Sequence, residues 1–351
     1  DIAAGIGGGR TVLRSFRDYL VKTGTVHEWI FLTGAPKVLR PADHVQVFAL
    51  PKLKRSWFRR LFFDGLTGRR LIRSLAPDVV FSLQNTRTYG LSVPQVVYVH
   101  QPLPFQDVVN YQLWRRDERH LAVYQHLIGR VIRRSIRQAD RTIVQTHWMR
   151  EAILEQVRIE PGRVERVAPD LEDLSAYVDE NVSDRTQFFF PTGPLSYKNL
   201  DCIEEACRAL RAEGVTEFRV LVTSDTPSPD PNITSIGQLP REEALRTLSG
   251  STLVFPSLVE SYGLPLAEAR SLGCVVLASD RSYAREVLEG YPNAYFFDPH
   301  MPKDLARLMD AVIHGDIQRL DWTESAEPDP TIGWRRVVAI LEEVAASSTG
   351  G

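Results

Sequence analysis

Short, almost wholly apolar segments rich in β-branched residues recur along the chain, and longer segments with helical periodicity lie between them. In the first half, the apolar segments are residues 29–34, 78–83, 95–100 and 141–146. In the second half, they are residues 186–193, 218–224, 251–257, 274–279 and 293–299. Continuous hydrophobicity is typical of strands that are buried on both faces of a parallel sheet. The alternation therefore predicts an α/β fold with doubly wound parallel sheets.

The helical segments and the length of the chain predict two domains. Helices are predicted at residues 10–23, 55–74, 114–138, 147–157, 199–213, 241–249, 265–272, 303–314 and 333–346. A chain of 351 residues is long enough for two domains, and the acidic, weakly periodic stretch 169–184 is typical of a linker. We expect an N-terminal Rossmann-like domain over residues 1–170, a C-terminal one over 185–330, and a final helix within 331–351 that packs back on the first domain.

The charge is divided unevenly between the two halves. Residues 1–168 carry +13 and residues 169–351 carry −15, within a total of −2. Residues 51–75 alone hold eight basic side chains, one aspartate and four aromatics. A solvated helix face would explain this segment, but a basic helix with interleaved aromatics also suits an anionic membrane. Nucleic acid would leave a similar charge pattern, but no nucleic-acid-binding motif accompanies it, so we expect no nucleic-acid partner.

Apolar runs, signal patterns and cysteines indicate the cellular compartment of the protein. No apolar run of about 18 residues and no secretory signal pattern occur. The three cysteines, Cys202, Cys207 and Cys274, form no C-x-x-C pair and are expected to be buried apolar residues rather than disulfides or zinc ligands. We expect a cytoplasmic protein with peripheral contact at the inner face of the cell membrane. Because the chain does not begin with Met, we also expect residues before Asp1.

Two glutamates eight residues apart flank a predicted helix start. Glu260 follows the strand 251–257, and Glu268 lies about one turn into the next helix. Gly263 permits an unusual backbone angle and Pro265 suits the first helical position. A helix N-terminus attracts phosphate, whereas a carboxylate beside phosphate would accept hydrogen bonds from hydroxyls. Two carboxylates around a phosphate site suit a nucleotide-sugar, although two solvated surface glutamates would give the same spacing.

The stretch "PSLVESYGLPLAEARSLGCVVLASDRSYAREV" (256–287) resembles the donor-binding motif of the family 4 retaining glycosyltransferases, which have the GT-B fold and an E-x7-E pattern. The matching positions are Glu260, Gly263, Pro265, Glu268, Gly273, Ser279 and Asp280. The resemblance implies two Rossmann-like domains facing a cleft. It also implies that Glu260 contacts sugar hydroxyls and that Glu268 contacts the ribose diol. The backbone of Ser261, Tyr262, Gly263 and Leu264 would approach the diphosphate.

Further donor-binding residues follow from the same resemblance. "FFFPTGPLSYKNL" (188–200) resembles the family's phosphate-binding strand, loop and helix, and contributes Gly193 and Lys198. The arginine usual before this lysine is missing, so Arg10 or another basic residue would supply the second phosphate contact. Ile236 to Leu239 resemble the loop that cups the nucleobase.

The N-terminal half contributes candidates as well. "GIGGGR" (5–10) would place backbone amides of Gly7, Gly8, Gly9 and Arg10 near the donor phosphate, although it could equally be a tight turn. His100 ends a predicted strand, where the resemblance places a histidine beside the transferred sugar. Thr146, and with it Gln84 and Asn85, follow strands on the same edge, and ordinary loop chemistry explains them equally well.

These motifs predict one function and two alternatives. We expect a retaining glycosyltransferase that moves a sugar from a nucleotide-sugar to a lipid-linked or glycan acceptor in bacterial surface polysaccharide synthesis. The catalytic candidates are His100, Glu260 and Lys198. No D-x-D occurs, so no metal and no cofactor are expected. The alternatives are a GT-B nucleotide-sugar epimerase and a non-catalytic module that binds sugar nucleotide or membrane.

Overall fold

A computed structural model describes residues 8–34, 39–50, 62–178, 184–193, 195–322 and 333–349. The chain divides into two compact units. The first unit consists of Asp1–Phe105, Tyr111–Asp170 and Asp329–Gly351. The second unit consists of Gln106–Asn110 and Leu171–Pro328.

The strands confirm the α/β prediction. In the first unit they are β1 (Trp29–Thr33), β2 (Val45–Ala49), β3 (Val80–Ser82), β4 (Gln95–Val99), β5 (Arg141–Val144) and β6 (Val164–Arg166). In the second unit they are β7 (Gln187–Phe190), β8 (Arg219–Val222), β9 (Ile233–Ser235), β10 (Thr252–Phe255), β11 (Val276–Ser279) and β12 (Ala294–Phe297). All nine predicted strands form, each within its predicted segment. The sequence analysis missed β2, β6 and β9; β6 and β9 are three residues long and β2 is largely exposed, so none is a continuous apolar run.

The helices also follow the prediction closely. They are α1 (Gly8–Thr23), α2 (Gly68–Ser74), α3 (Arg119–Ala122), α4 (Gly129–Gln138), α5 (His147–Val157), α6 (Leu200–Ala212), α7 (Arg241–Ser249), α8 (Leu264–Ser271), α9 (Ser282–Val287), α10 (Pro302–His314) and α11 (Gly333–Thr349). A π-helical turn, Phe63–Thr67, leads into α2, and another, Val123–Ile128, joins α3 to α4. Of the helix predicted over 55–74, residues 55–61 lie outside the described residues. The sequence analysis missed α9, which at six residues is too short for a periodic pattern.

The predicted helix over 114–138 begins five residues later, at Arg119. The carboxylate of Glu118 accepts from the backbone amide of Gln112 at 2.9 Å and pairs with Arg115 at 3.0 Å. Because these contacts hold residues 112–118 in a turn, the start of the prediction was wrong.

Every strand pairing in the second unit is parallel, in the order β12-β11-β10-β7-β8-β9. Leu253 of β10 is in register with Phe189 of β7 on one side and with Val276 of β11 on the other. Parallel strands share one carboxyl edge, where ligands of open α/β sheets bind. The loops that follow β7, β9 and β10 therefore emerge at the same edge.

In the first unit, β3 to β6 form a parallel sheet in sequence order, and β1 pairs with β2, also in parallel. The C-terminal helix α11 completes the core of this unit. Trp334 packs on Phe16 of α1 with ring centres 4.8 Å apart and donates from its indole to Ser15 at 2.8 Å. Asp170 accepts from the amide of Trp334 at 2.7 Å and lies where a Cβ on Gly333 would stand, so only glycine fits there. Within the described residues, no helix is both long and apolar enough to cross a membrane.

The three cysteines are buried and unpaired, as predicted. Burial raises the pKa of each thiol to about 12. At neutral pH they are protonated, and they act as small apolar core residues.

Candidate functional site

The loop between β10 and α8 turns sharply at Gly263, whose backbone is left-handed with φ +88°. A Cβ at this position would also lie 3.1 Å from a methyl carbon of Leu266. The helix begins at Leu264, one residue earlier than predicted, so Pro265 occupies its second position. The amide of Leu266 donates to the carbonyl of Gly263 at 2.8 Å. Since proline has no N–H, any phosphate contact at this helix end depends on the amides of Tyr262 to Leu264.

Lys198 and Glu260 meet at the carboxyl edge of neighbouring strands. Lys198 ends the short 3₁₀ turn after β7, and its Nζ lies 2.5 Å from Oε1 of Glu260 in the loop after β10. Their side chains are 18% and 14% exposed. The ammonium also lies 5.7 Å from the ring centres of Tyr197 and Phe255. The structure thus joins two candidates that the sequence separates by 62 residues.

Backbone contacts hold this pair in place. Asn199 has a left-handed backbone (φ 59°). Its side-chain Nδ2 donates to the backbone carbonyls of Pro256 at 3.3 Å and Pro299 at 3.1 Å. The amide of Leu258 donates to the carbonyl of Tyr197 at 2.8 Å. The loops after β7 and β10 are therefore fastened to each other, which fixes the backbone on both sides of the ion pair.

A buried tyrosine anchors the loop after β10 through a hydrogen bond to its backbone. The hydroxyl of Tyr283 in α9 donates to the carbonyl of Ser257 at 2.5 Å. Burial raises the pKa of Tyr283 well above its ordinary value, and the charge of Glu260 raises it further, so the hydroxyl stays a donor. The sequence analysis missed Tyr283 and Asn199 as supporting residues, because their contacts run to backbone atoms far along the chain.

The second glutamate, Glu268, lies on α8 and binds Arg241, the first residue of α7. Nη1 of Arg241 lies 2.8 Å from Oε1 of Glu268, and the same guanidinium lies 3.0 Å from Glu172. Burial raises the pKa of Glu268, the guanidinium opposes that rise, and the charge of Glu172 adds to it. No sequence pattern predicts this role for Arg241, because its partner is 27 residues away on another helix.

The predicted nucleobase loop follows β9. The amide of Ile236 donates to the carbonyl of Val222 at 2.9 Å, and that of Gly237 donates to Ser224 at 3.3 Å. Ile236 and Leu239 are half-buried. An open depression of about 420 Å³ lies beside this loop. Its lining residues are Pro240, Arg241, Glu242, Glu243 and Arg246.

Gly193 lies in the loop after β7, and apart from its chain neighbours no described residue approaches within 4 Å of where its Cβ would be. Just before it, the amide of Thr192 donates to the hydroxyl of Thr223 on the neighbouring loop, at 2.8 Å. The space around Gly193 is therefore open at the same edge as Lys198, which is compatible with the predicted donor contact.

The N-terminal candidates lie in the first unit. His100 directly follows β4, as the sequence predicts, and it is half-buried. The side-chain oxygen of Asn85 accepts from the amides of His100 at 2.7 Å and Gln101 at 3.0 Å, and Gln84 donates to the buried Asp64 at 3.0 Å. Asn85 therefore braces the end of β4, whereas Gln84 ties the loop after β3 to the π-helical turn. Thr146 is fully buried at the start of α5, which gives no support to direct ligand contact.

The glycine-rich segment differs from the prediction. Gly7 lies outside the described residues, whereas Gly8, Gly9 and Arg10 already belong to the first turn of α1. First-turn amides have no intrahelical acceptor, which is compatible with the predicted contact to the donor phosphate. The side chain of Arg10 lies outside the described residues. In the part of the chain that the structure covers, no group of three or more His, Cys, Asp or Glu could hold a metal ion.

Two family models match the chain. The model described as "Glycosyltransferase Family 4" matches residues 6–169, and "Glycosyl transferases group 1" matches residues 228–328. No curated protein sequence matches the chain.

Solved structures share the fold at low sequence identity. HepE of Anabaena, solved with UDP-glucose, is 12% identical, with 100% of this chain and 98% of HepE covered and a TM-score of 0.63. WaaG, described as a glycosyltransferase involved in lipopolysaccharide biosynthesis, is 14% identical, with 99% and 97% covered and a TM-score of 0.62. TarM of S. aureus, solved with fondaparinux, alpha-GlcNAc-glycerol and UDP, is 14% identical, with 86% and 52% covered and a TM-score of 0.52. The chain thus spans about half the length of TarM.

Two parallel α/β units and these structural neighbours define the GT-B fold of glycosyltransferases. With both family models matched, one in each unit, the chain belongs to the glycosyltransferases of family 4 and group 1.

Proposed function

We propose that this chain is a retaining glycosyltransferase that transfers a sugar from a nucleotide-sugar to a glycan or lipid-linked acceptor in bacterial surface polysaccharide synthesis. One observation carries the proposal: Glu260 and Glu268 flank the start of α8, and each is bound by a cation, Lys198 or Arg241. The structural neighbours support it, because HepE was solved with UDP-glucose, TarM was solved with UDP, and WaaG is involved in lipopolysaccharide biosynthesis.

The donor diphosphate would bind between the two glutamates. Lys198 supplies a positive charge at this point, and the positive end of the α8 dipole adds to it. The amides of Tyr262, Gly263 and Leu264 complete the phosphate site, because Pro265 has no N–H. Together these groups would stabilise the leaving nucleoside diphosphate as negative charge develops on it.

The carboxylates would bind hydroxyl groups on either side of the diphosphate. Glu260 is assigned to the transferred sugar and Glu268 to the ribose diol, while Ile236 and Leu239 border the nucleobase. Both glutamates act as binding groups rather than as the acid and nucleophile of a glycosidase. The first unit is assigned to the acceptor, with His100 as the candidate beside the transferred sugar.

The activity itself is tested in two stages. A thermal-shift screen of UDP-, GDP-, dTDP- and ADP-sugars identifies the donor, because a ligand that binds only the folded state raises its stability. Mass analysis of products, with and without glycan acceptors, then separates the alternatives. Acceptor-linked sugar supports the transferase, an isomerised donor without acceptor indicates an epimerase, and binding without turnover indicates a non-catalytic module.

We also propose that transfer needs no metal ion, since Lys198 and the start of α8 already offer positive charge to the diphosphate. Transfer should then continue at its full rate in EDTA. Loss of transfer in EDTA, restored by magnesium, would refute this part of the proposal.

A peripheral membrane contact is proposed for the basic segment 51–75, at the cytoplasmic face. Residues 51–61 lie outside the described residues, whereas Phe62, Leu66 and Arg70 are exposed. Exposed apolar side chains beside arginines suit an anionic lipid surface. Neutralising Arg59, Arg60, Arg69 and Arg70 together should reduce binding to anionic liposomes and leave donor affinity unchanged. Intact liposome binding would place the membrane face elsewhere.

A further inference from the structure

Arg241 connects three segments of the second unit. It begins α7, directly after the predicted nucleobase loop. Its Nη1 lies 2.8 Å from Oε1 of Glu268 on α8, and its Nε lies 3.0 Å from Oε2 of Glu172 in the segment that precedes β7. One guanidinium therefore stands between two carboxylates that come from different parts of the chain.

The burial of these groups differs, and the difference decides which contact matters. The side chain of Glu268 is 15% exposed, that of Arg241 is 41% exposed, and that of Glu172 is 60% exposed. An exposed ion pair such as Arg241–Glu172 contributes little to stability. A largely buried carboxylate that loses its partner is costly, because it keeps its desolvation penalty without compensation. The Arg241–Glu268 contact is therefore the one on which the site depends.

The segment that carries Glu172 also contacts α7 at a second residue. The ring of Tyr177 lies 5.5 Å from the guanidinium carbon of Arg246, so residues 172–177 run beside α7 at two points. Without Arg241, Glu172 and Glu268 would share the same neighbourhood as two like charges. Repulsion and burial would then both favour protonation or displacement of the Glu268 carboxylate.

We propose that Arg241 is a positioning residue for the donor ribose: it keeps Glu268 ionised and aims its carboxylate at the 2′- and 3′-hydroxyls. This inference rests on the proposed function, because it assumes that Glu268 binds ribose. The observed contact uses Oε1, and a carboxylate has a second oxygen that can accept from a diol. Arg241 acts through Glu268 and needs no contact of its own with the donor.

The test compares a ribonucleotide with its analogue that lacks both hydroxyls. UDP and 2′,3′-dideoxy-UDP are titrated calorimetrically into the full-length protein and into the variants Arg241→Gln, Glu172→Gln and Glu268→Gln. If the panel of UDP, GDP and ADP shows that another base binds more tightly, the corresponding pair is used. Arg307→Gln is the matched control, since it removes one arginine charge from the same unit at an exposed pair with Asp304.

For Arg241→Gln we expect UDP affinity to fall about tenfold, the size typical of losing a charge-assisted hydrogen bond, and dideoxy-UDP affinity to change less than about twofold. Glu172→Gln should change either affinity less than about twofold, because its ion pair with Arg241 is exposed. Adding Arg241→Gln to Glu268→Gln should cause no further loss, because both act on one interaction. Arg307→Gln should leave both affinities unchanged.

Two results would overturn the inference. If Arg241→Gln loses the same affinity for UDP as for dideoxy-UDP, Arg241 contacts the base or the phosphate or only supports the fold. If it loses affinity for neither ligand, Glu268 does not need Arg241. If Arg241→Gln fails to fold, Arg241→Lys replaces it, because lysine keeps the positive charge and loses the guanidinium geometry. A loss confined to UDP is again expected, and equal or absent losses would again overturn the inference. Failure of the unaltered protein to bind any nucleoside diphosphate would instead contradict the proposed function.

Discussion

The ammonium of Lys198 and the carboxylate of Glu260 form an ion pair with 2.5 Å between Nζ and Oε1. A donor diphosphate at this site would compete with Glu260 for Lys198. Once Lys198 turns to the phosphate, Glu260 is released to accept hydrogen bonds from sugar hydroxyls. We therefore expect the two residues to respond differently to nucleotide and to nucleotide-sugar.

Substitution of each partner tests this exchange. Lys198→Ala should weaken binding of both nucleoside diphosphate and nucleotide-sugar by about tenfold or more, because it removes a charged phosphate contact. Glu260→Gln should leave nucleoside diphosphate binding unchanged or slightly tighter, while the extra affinity contributed by the sugar falls. Calorimetric titration of both ligands measures this, with Lys303→Ala on the exposed surface of α10 as the control. Equal losses for both ligands in Glu260→Gln would contradict the exchange.

The raised pKa of Glu268 predicts a pH dependence of ribose recognition. Burial disfavours the charged carboxylate and so raises its pKa, Arg241 opposes the rise, and Glu172 adds to it. As the pH falls through this raised pKa, the folded state takes up a proton before the unfolded chain does. Acidification therefore stabilises the folded state, because it neutralises the buried charge of Glu268. The protonated Glu268 no longer offers a charged acceptor to the ribose hydroxyls.

The ratio of UDP affinity to 2′,3′-dideoxy-UDP affinity should therefore decline as the pH is lowered from neutrality through the raised pKa of Glu268. Taking the ratio cancels the titration of the phosphates, which both ligands share. In Glu268→Gln the ratio should be low and independent of pH. A ratio that stays constant with pH in the unaltered protein would show that Glu268 does not titrate there or does not bind the diol.

The turn at Gly263 predicts a loss of both stability and binding when a side chain is added. Gly263→Ala places a Cβ at φ +88° and 3.1 Å from Leu266, which should cost about 1–3 kcal/mol. The midpoint of thermal unfolding should fall, and nucleoside diphosphate affinity should fall with it because the start of α8 shifts. Gly162→Ala is the control, since it meets no atom within 4 Å. An unchanged midpoint in Gly263→Ala would contradict the described turn.

Much of this organisation could be predicted from local sequence signals. Continuous apolar runs identified nine strands, and the Gly-x-Pro spacing located the start of α8 to within one residue. The sequence places Lys198 and Glu260 after two different strands, and the structure shows that these strands are neighbours in the sheet. Strand ends in a parallel sheet converge on one edge, so a motif after a strand already carries spatial information.

What the sequence could not predict depends on long-range geometry. Arg241 looks like an ordinary first-turn arginine, and only the packing of α7 beside α8 brings it to Glu268. Asn85 looked like a ligand-binding residue after a strand, whereas its side chain accepts from two backbone amides at the end of β4. Hydrogen bonds from side chains to distant backbone atoms leave no periodic pattern, and residue type alone does not separate a bracing residue from a binding one.

The most direct test of the account is the binding of nucleoside diphosphate by Glu268→Ala. Its control is Glu217→Ala, an exposed glutamate two residues before β8 at the opposite, amino edge of the sheet. Calorimetric titration of both variants with UDP, GDP and ADP, and with the matching sugar donors, compares the two edges. The account predicts a loss of about tenfold or more for Glu268→Ala, as for a removed charged hydrogen-bond partner, and no loss for Glu217→Ala. Unchanged affinity of Glu268→Ala for both nucleoside diphosphate and donor would contradict the assignment of this edge as the donor site.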